Sequence, residues 1–196
     1  MLFEYMDHDL TGLANQARFS VPRTVKCYMS QLLKGLHYCH ASGVLHRNIK
    51  SSNLLINNEG NLKPGDFGHA RTFSSKDHHN AKLTNQVVTH WYRPPELLLG
   101  ATKYGRAGDM CSAGCMFAEL HCCGKPVFNG KTEADVLTKT VEVCGAPDEV
   151  NWPEVSRLPW FNRFDFKQMK ARKRPLSETF RHSDRHFGLV GETAYS

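Results

Sequence analysis

Three short motifs in a fixed order constrain this chain more than its composition does. "VLHRNIKSSNLL", residues 44–55, sets His46 beside Arg47, with Lys50 two places past Asn48 and Asn53 five places past it. "DFG" follows at Asp66 to Gly68, thirteen residues past Asn53, and "PPE" stands at Pro94 to Glu96. A carboxylate followed by an aromatic pivot and a glycine can hold a cation against polyphosphate, the glycine permitting an abrupt turn. In that arrangement Asn53 and Asp66 would coordinate Mg2+, and Lys50 would neutralise charge on a transferring phosphoryl group. Residue 48 would position the attacking hydroxyl and take its proton. That last task asks for an aspartate, and the chain has Asn48.

The segments around these motifs read as mainly helical, with a few short strands near the beginning. Residues 1 to 6 are apolar and aromatic, like the end of a buried strand, and "DHDL" breaks the pattern. From about Arg23 to Ser42, Tyr28, Leu32, Leu36 and Cys39 recur at helical spacing, with Gly43 as a stop. "NLLI" and "NLK" read as two strands joined by the Asn57 to Gly60 turn "NNEG". A polar stretch from about Arg71 to Gln86 is too long for an ordinary connection and is read as a functional or disordered loop. Apolar helices are expected from about Asp109 to His121 and from Glu133 to Val143, followed by the loop-like "GAPDEVNWPEV". From Phe164 onward the chain is basic and weakly periodic.

A chain of 196 residues suits one domain able to fold without disulfides or metal. Its net charge of +6 suits acidic partners without singling out nucleic acid. Trp91, Trp152 and Trp160 have no interleaved basic stripe and read as packing anchors, so no direct nucleic-acid contact is expected. No run approaches the roughly 20 apolar residues of a membrane span, and "MLFEYMDHDL" lacks the features of a signal peptide, which suggests an intracellular chain. The seven cysteines, an odd number, are expected to be reduced. Cys111 and Cys115 lie one helical turn apart in an apolar segment, and packing is the preferred reading over zinc. His46 reads as a hydrogen-bonded structural residue, and His78 and His79 as solvated. "KARKR", Lys170 to Arg174, reads as a solvated basic loop, with a nuclear-import signal as the alternative.

Taken with "LFEYMDHDLTGL", "TNQVVTHWYRPPELLLGATKYG" and "CGAPDEVNWPEV", the motif series resembles the large lobe of a eukaryotic protein kinase of the cyclin-dependent family. These segments are most similar to the plant C-type enzymes that pair with cyclin T and phosphorylate the C-terminal repeats of RNA polymerase II. The similarity runs from Met1 to about His186, with residues 187–196 a divergent tail and an activation segment at 66–96. It implies a protein-kinase-like C-terminal lobe of a mainly α, α+β fold, and ATP-dependent phosphorylation of Ser/Thr-Pro sites with Mg2+. Phe3 would be the gatekeeper, Glu4 and Met6 the hinge residues facing adenine, Asp9 a neighbour of the ribose, and Leu55 the floor of the adenine pocket. Thr84 matches the activation-loop phosphorylation site, and Arg47 and Arg71 match residues that receive its phosphate. Asp109 matches the acid that supports the catalytic loop from beneath. A cyclin T-like partner and a nuclear location follow from the same resemblance.

Departures from that pattern shape the expected activity. Nothing before the hinge supplies the glycine-rich loop, the strand lysine with its glutamate, or the cyclin-binding helix, so the small lobe is expected to be absent. Asn48 cannot accept a proton. Pro64 stands at an apolar strand position, His69 replaces a leucine, Cys111 a tryptophan beneath the loop, with a cavity expected, and Gln86 an arginine beside Thr84. Glu96 is expected to lack its arginine partner. ATP binding is therefore in doubt, catalysis is expected to be impaired or lost, and restoring aspartate at position 48 alone is not expected to rescue it. A non-catalytic pseudokinase interaction module and a decayed or incomplete gene product are the alternative readings.

Overall fold

A computed structural model describes residues 4–14, 22–73, 90–102, 105–122, 124–166 and 169. Its backbone is the helix α2, Pro22–Ala41, with proline in the first turn, where a missing N–H costs nothing. Val25, Leu32, Leu36 and His40 form its buried face, close to the periodicity in the sequence. Gly43, at φ 71°, turns the chain out of the helix in a conformation that glycine adopts without strain. The helix packs on α4, Arg106–His121, which begins three residues before the expected start and buries residues on most of its circumference.

Strand β1 is His8–Asp9, followed by the short helix α1, Leu10–Ala14. The sequence pattern pointed instead to residues 1 to 6; residues 4 to 6 lie outside any strand, and "DHDL" supplies the pairing. β3, Leu54–Ile56, lies between β1 and β4, Leu62–Pro64, in an antiparallel sheet. Asn57 closes the β3–β4 turn, its Oδ1 accepting from the N–H groups of Glu59 and Asn61. Pro64 ends the edge strand, where a missing ladder donor is tolerated. Its ring also lies against Gly35 of α2, where an added Cβ would come within 3.1 Å.

A second sheet pairs β2, Val44–Leu45, with β5, Arg71–Thr72. This pairing anchors the start of the segment that polarity alone marked as irregular. Further on come α3, Pro95–Leu98, and α5, Glu133–Cys144. Thr132 and Asp135 form a reciprocal capping box at the start of α5.

Two apolar clusters hold these elements. One joins α2, β3, β4 and α4 around Leu32, Leu36, Ile49, Leu54 and Met116. The other gathers Leu98, Leu99, Val136, Leu137, Val155 and Phe166. Ile49, within the "HRNIK" loop, is 0% exposed and plants that loop in the first cluster. Ile49→Val is expected to cost about 1 kcal/mol by urea denaturation, as for removing one buried methylene. A loss below the error of the measurement would mean that the loop is not anchored by this residue.

Candidate functional site

The site is built on one buried carboxylate. Asp109, in the first turn of α4 and 0% exposed, accepts from the backbone N–H of His46 at 3.0 Å and of Arg47 at 2.8 Å. Its Oδ2 also lies 2.8 Å from Nε2 of His40 near the end of α2. These bonds satisfy N–H groups that the loop geometry turns away from any regular ladder, with Arg47 at φ 65°. Asp109 thus supports the loop from beneath, as the resemblance implied.

His46 is buried, its Nε2 2.9 Å from the carbonyl of Gly65. With Nε2 donating there, Nδ1 is left to accept from the N–H of Asn48 at 3.3 Å. Burial holds the imidazole below its ordinary pKa, so the neutral form fits this structural role. Its ring packs against Phe67, with centroids 4.7 Å apart, joining the loop to the DFG segment.

Asn48, Asn53 and Asp66 converge. Asn48 Nδ2 donates to Asp66 Oδ2 at 2.8 Å, and Asn53 Nδ2 donates to the carbonyl of Asn48 at 2.9 Å and more distantly to Asp66 Oδ2 at 3.3 Å. Asp66 itself is exposed, has φ 56°, and accepts from the N–H of Gly68 through Oδ1. Asn48 Oδ1 is buried without a hydrogen-bond partner among the described residues. Lys50 is half-buried and its ammonium makes no hydrogen bond or ion pair with the described residues.

The donor set suits a hard divalent cation in kind. Asn53 spends its nitrogen on the Asn48 carbonyl, which leaves Oδ1 as a ligand, and Asp66 supplies the carboxylate. With Asn48 neutral, Asp66 is the one formal negative charge of the three, and both of its oxygens already accept hydrogen bonds, Oδ2 from Asn48 and Asn53 and Oδ1 from the N–H of Gly68.

Asp9 pairs with Leu55 across β1 and β3, and its Oδ1 accepts from Gly12 N–H at 3.0 Å. Leu55 Cδ1 lies over Gly65, where an added Cβ would come within 2.8 Å. Glu4 forms an exposed ion pair with Lys63, and Met6 is half-buried. Arg71 pairs opposite Leu45, two residues before buried Arg47 in the chain. Phe3, Thr84, Gln86, His78, His79 and "KARKR" lie outside the described residues. His69 ends a short turn after Asp66.

Cys111 is half-buried at the edge of the first cluster and shares a hydrogen bond with Cys115, which, with burial, holds the Cys115 thiol above its usual range. The six cysteines among the described residues are free thiols.

Two buried polar groups carry no motif. Glu119 accepts from Ser51 Oγ at 2.9 Å and from Tyr92 OH at 2.6 Å, tying α4 to both the catalytic-type loop and the "WYR" turn. Burial raises the Glu119 pKa, partly offset by these bonds, and burial beside Glu119 raises that of Tyr92. Arg93, 4% exposed, pairs with Glu133 of α5. An acid within the apolar "CMFAEL" run was the available signal for Glu119, because such a group needs partners when buried. Arg93 has no comparable signal.

Glu96, on α3, has no cationic partner among the described residues, and burial raises its pKa above the ordinary 4.5. A raised folded value means that this group's stabilising contribution is complete below about 4.5 and is lost as pH rises through the folded pKa. Glu96→Gln is therefore expected to stabilise the fold at pH 7 by on the order of 1 kcal/mol. The gain should vanish below pH 4.5, where both side chains are neutral. Urea midpoints across pH check this, and a variant less stable at pH 7 would show that Glu96 has a partner.

The model of the protein kinase domain matches residues 1–182. The chain belongs to the protein kinase family, on its cyclin-dependent branch. It is 61% identical over 188 residues to Cyclin-dependent kinase C-2 of Oryza sativa subsp. japonica, and 62% identical over 188 residues to Cyclin-dependent kinase C-2 of Arabidopsis thaliana. Each alignment covers 95% of this chain and 36% of the relative, so this kinase chain spans about a third of their length. The solved yeast RNA Pol II CTD kinase CTDK-1 complex matches at a TM-score of 0.81 and 38% identity, over 92% of this chain and 58% of that one. The protein-kinase-like, helix-rich fold with few strands agrees with the expectation from sequence.

Proposed function

We propose that this chain is a cyclin-dependent-kinase-like Ser/Thr kinase module in which phosphoryl transfer from ATP to Ser/Thr-Pro sites is impaired at the proton-transfer step. The observation that carries this reading is Asn48 at the base position, its amide nitrogen donating to Asp66. In the family reaction a substrate hydroxyl oxygen attacks the γ-phosphorus, ADP departs, and the hydroxyl proton passes to the base. An amide has no basic lone pair for that proton at neutral pH. Its Oδ1, unpartnered but buried, is not open to an incoming hydroxyl in this conformation. A divalent cation, held by Asn53 and Asp66, would neutralise phosphate charge, and Lys50 would do the same for the transferring group.

Substrate, partner and location follow the relatives. Similarity to the cyclin-dependent kinases C and to a polymerase C-terminal-domain kinase supports polymerase repeats as the substrate class and a cyclin as the partner, while a cyclin T-like partner and a nuclear location rest on the sequence resemblance alone. Glu4, Met6, Asp9 and Leu55 would line the nucleotide site, together with Phe3. A phosphorylated Thr84 would be received by Arg47 and Arg71.

The test is phosphotransfer from labelled ATP to a repeat peptide, beside the Arabidopsis relative. A turnover within tenfold of that enzyme overturns the impaired reading. Cation-independent binding of the peptide without turnover would instead support the non-catalytic module.

A further inference from the structure

The hydrogen bond between residue 48 and Asp66 depends on the amide. Asn48 Nδ2 lies 2.8 Å from Asp66 Oδ2. An aspartate at position 48 would place two carboxylates at that separation, which is repulsive and needs a proton or a cation between them. Asn48 is 2% exposed, and its backbone is fixed on both sides, by Asn53 Nδ2 on its carbonyl and by His46 Nδ1 on its N–H. The amide is therefore held in place to donate. Asp66 in turn sits at φ 56°, a conformation uncommon for a non-glycine residue, and needs contacts that keep it there. The bonds available to it are those from Asn48, Asn53 and the N–H of Gly68.

We infer that the Asn48 amide is a latch that takes the place of a divalent cation at Asp66, holding the DFG carboxylate in the site without metal and weakening metal binding there. The inference rests on the kinase reading of the site but concerns a property that turnover does not report. Two effects act in one direction. The neutral amide removes a negative charge from the site, and it occupies an Asp66 oxygen that a cation would have to win back.

The probe is Mn2+ alone, its binding followed by electron paramagnetic resonance, with hydrogen exchange of the Gly65 to Ala70 amides as the second readout. Without nucleotide, wild type is expected to bind Mn2+ weakly, and its exchange in this segment should change little with Mn2+. Asn48→Asp should bind Mn2+ at least tenfold more tightly and exchange faster until Mn2+ is added. Asn48→Ala, which frees the Asp66 oxygen without adding charge, should exchange faster and gain less Mn2+ affinity than Asn48→Asp. Wild-type Mn2+ affinity equal to that of Asn48→Asp overturns the inference, as does wild-type exchange equal to that of Asn48→Ala. A highly active wild-type chain would overturn the impaired-catalysis reading and leave these two readouts to decide the latch separately.

Discussion

Assayed beside the Arabidopsis kinase on a polymerase-repeat peptide, the chain is expected to turn over about 100 to 10,000-fold more slowly, with the loss in kcat and the peptide KM little changed. The split follows from the two ends of one amide. Asn48 Oδ1 is buried, closed to an incoming hydroxyl, and so makes no ground-state contact with the peptide that its replacement would remove. Asn48 Nδ2 is committed to Asp66, and neither end can take a proton as the oxygen attacks. An interaction needed only in the transition state is lost, which lowers kcat and kcat/KM together. The acidic limb that a titrating base gives a rate–pH profile should also be missing. A kcat within tenfold of the relative, or a large rise in KM with kcat preserved, would place the defect elsewhere.

Parts of this site were legible because they are local and periodic. The α2 face repeats every three to four residues, and Gly43 marks its end. The spacing of residues 48, 53 and 66 is enough to bring Asn48, Asn53 and Asp66 together, because a tight hairpin returns the chain over that interval. What stayed hidden is decided by partners distant in sequence. β2 and β5 are two residues each, too short for any alternation, and they pair from distant parts of the sequence at Val44–Thr72 and Leu45–Arg71. The Ser51–Tyr92–Glu119 network joins three segments whose polar residues are each unremarkable alone. Apolar residues at the start suggest a strand that residues 4 to 6 do not form, whereas a ladder is made by His8 and Asp9. Pro64 reads as a disruption until its edge position and its packing on Gly35 are known.

Asp109→Ala is expected to destabilise the chain by about 3 to 5 kcal/mol, the range for leaving buried polar and charged partners uncompensated. The substitution strands the N–H groups of His46 and Arg47 and the ring nitrogen of His40, all of them buried. Ile49 in the apolar cluster and the positive φ of Arg47 restrain the loop from turning these N–H groups to other acceptors. Asp109→Asn should recover only part of the loss. Oδ2 accepts from two donors and Oδ1 from a third, so an amide nitrogen in either place faces a donor. Equilibrium urea denaturation at constant m-value measures both variants. Against a typical domain stability of about 5 to 15 kcal/mol, the alanine variant would lie near the threshold of folding at 37 °C. A loss below about 1 kcal/mol would mean that the loop is held by its apolar anchor and not by the carboxylate. That outcome would also remove the reason for the fixed position of Asn48 against Asp66, because the bonds from Asp109 set the path of the two residues immediately before it.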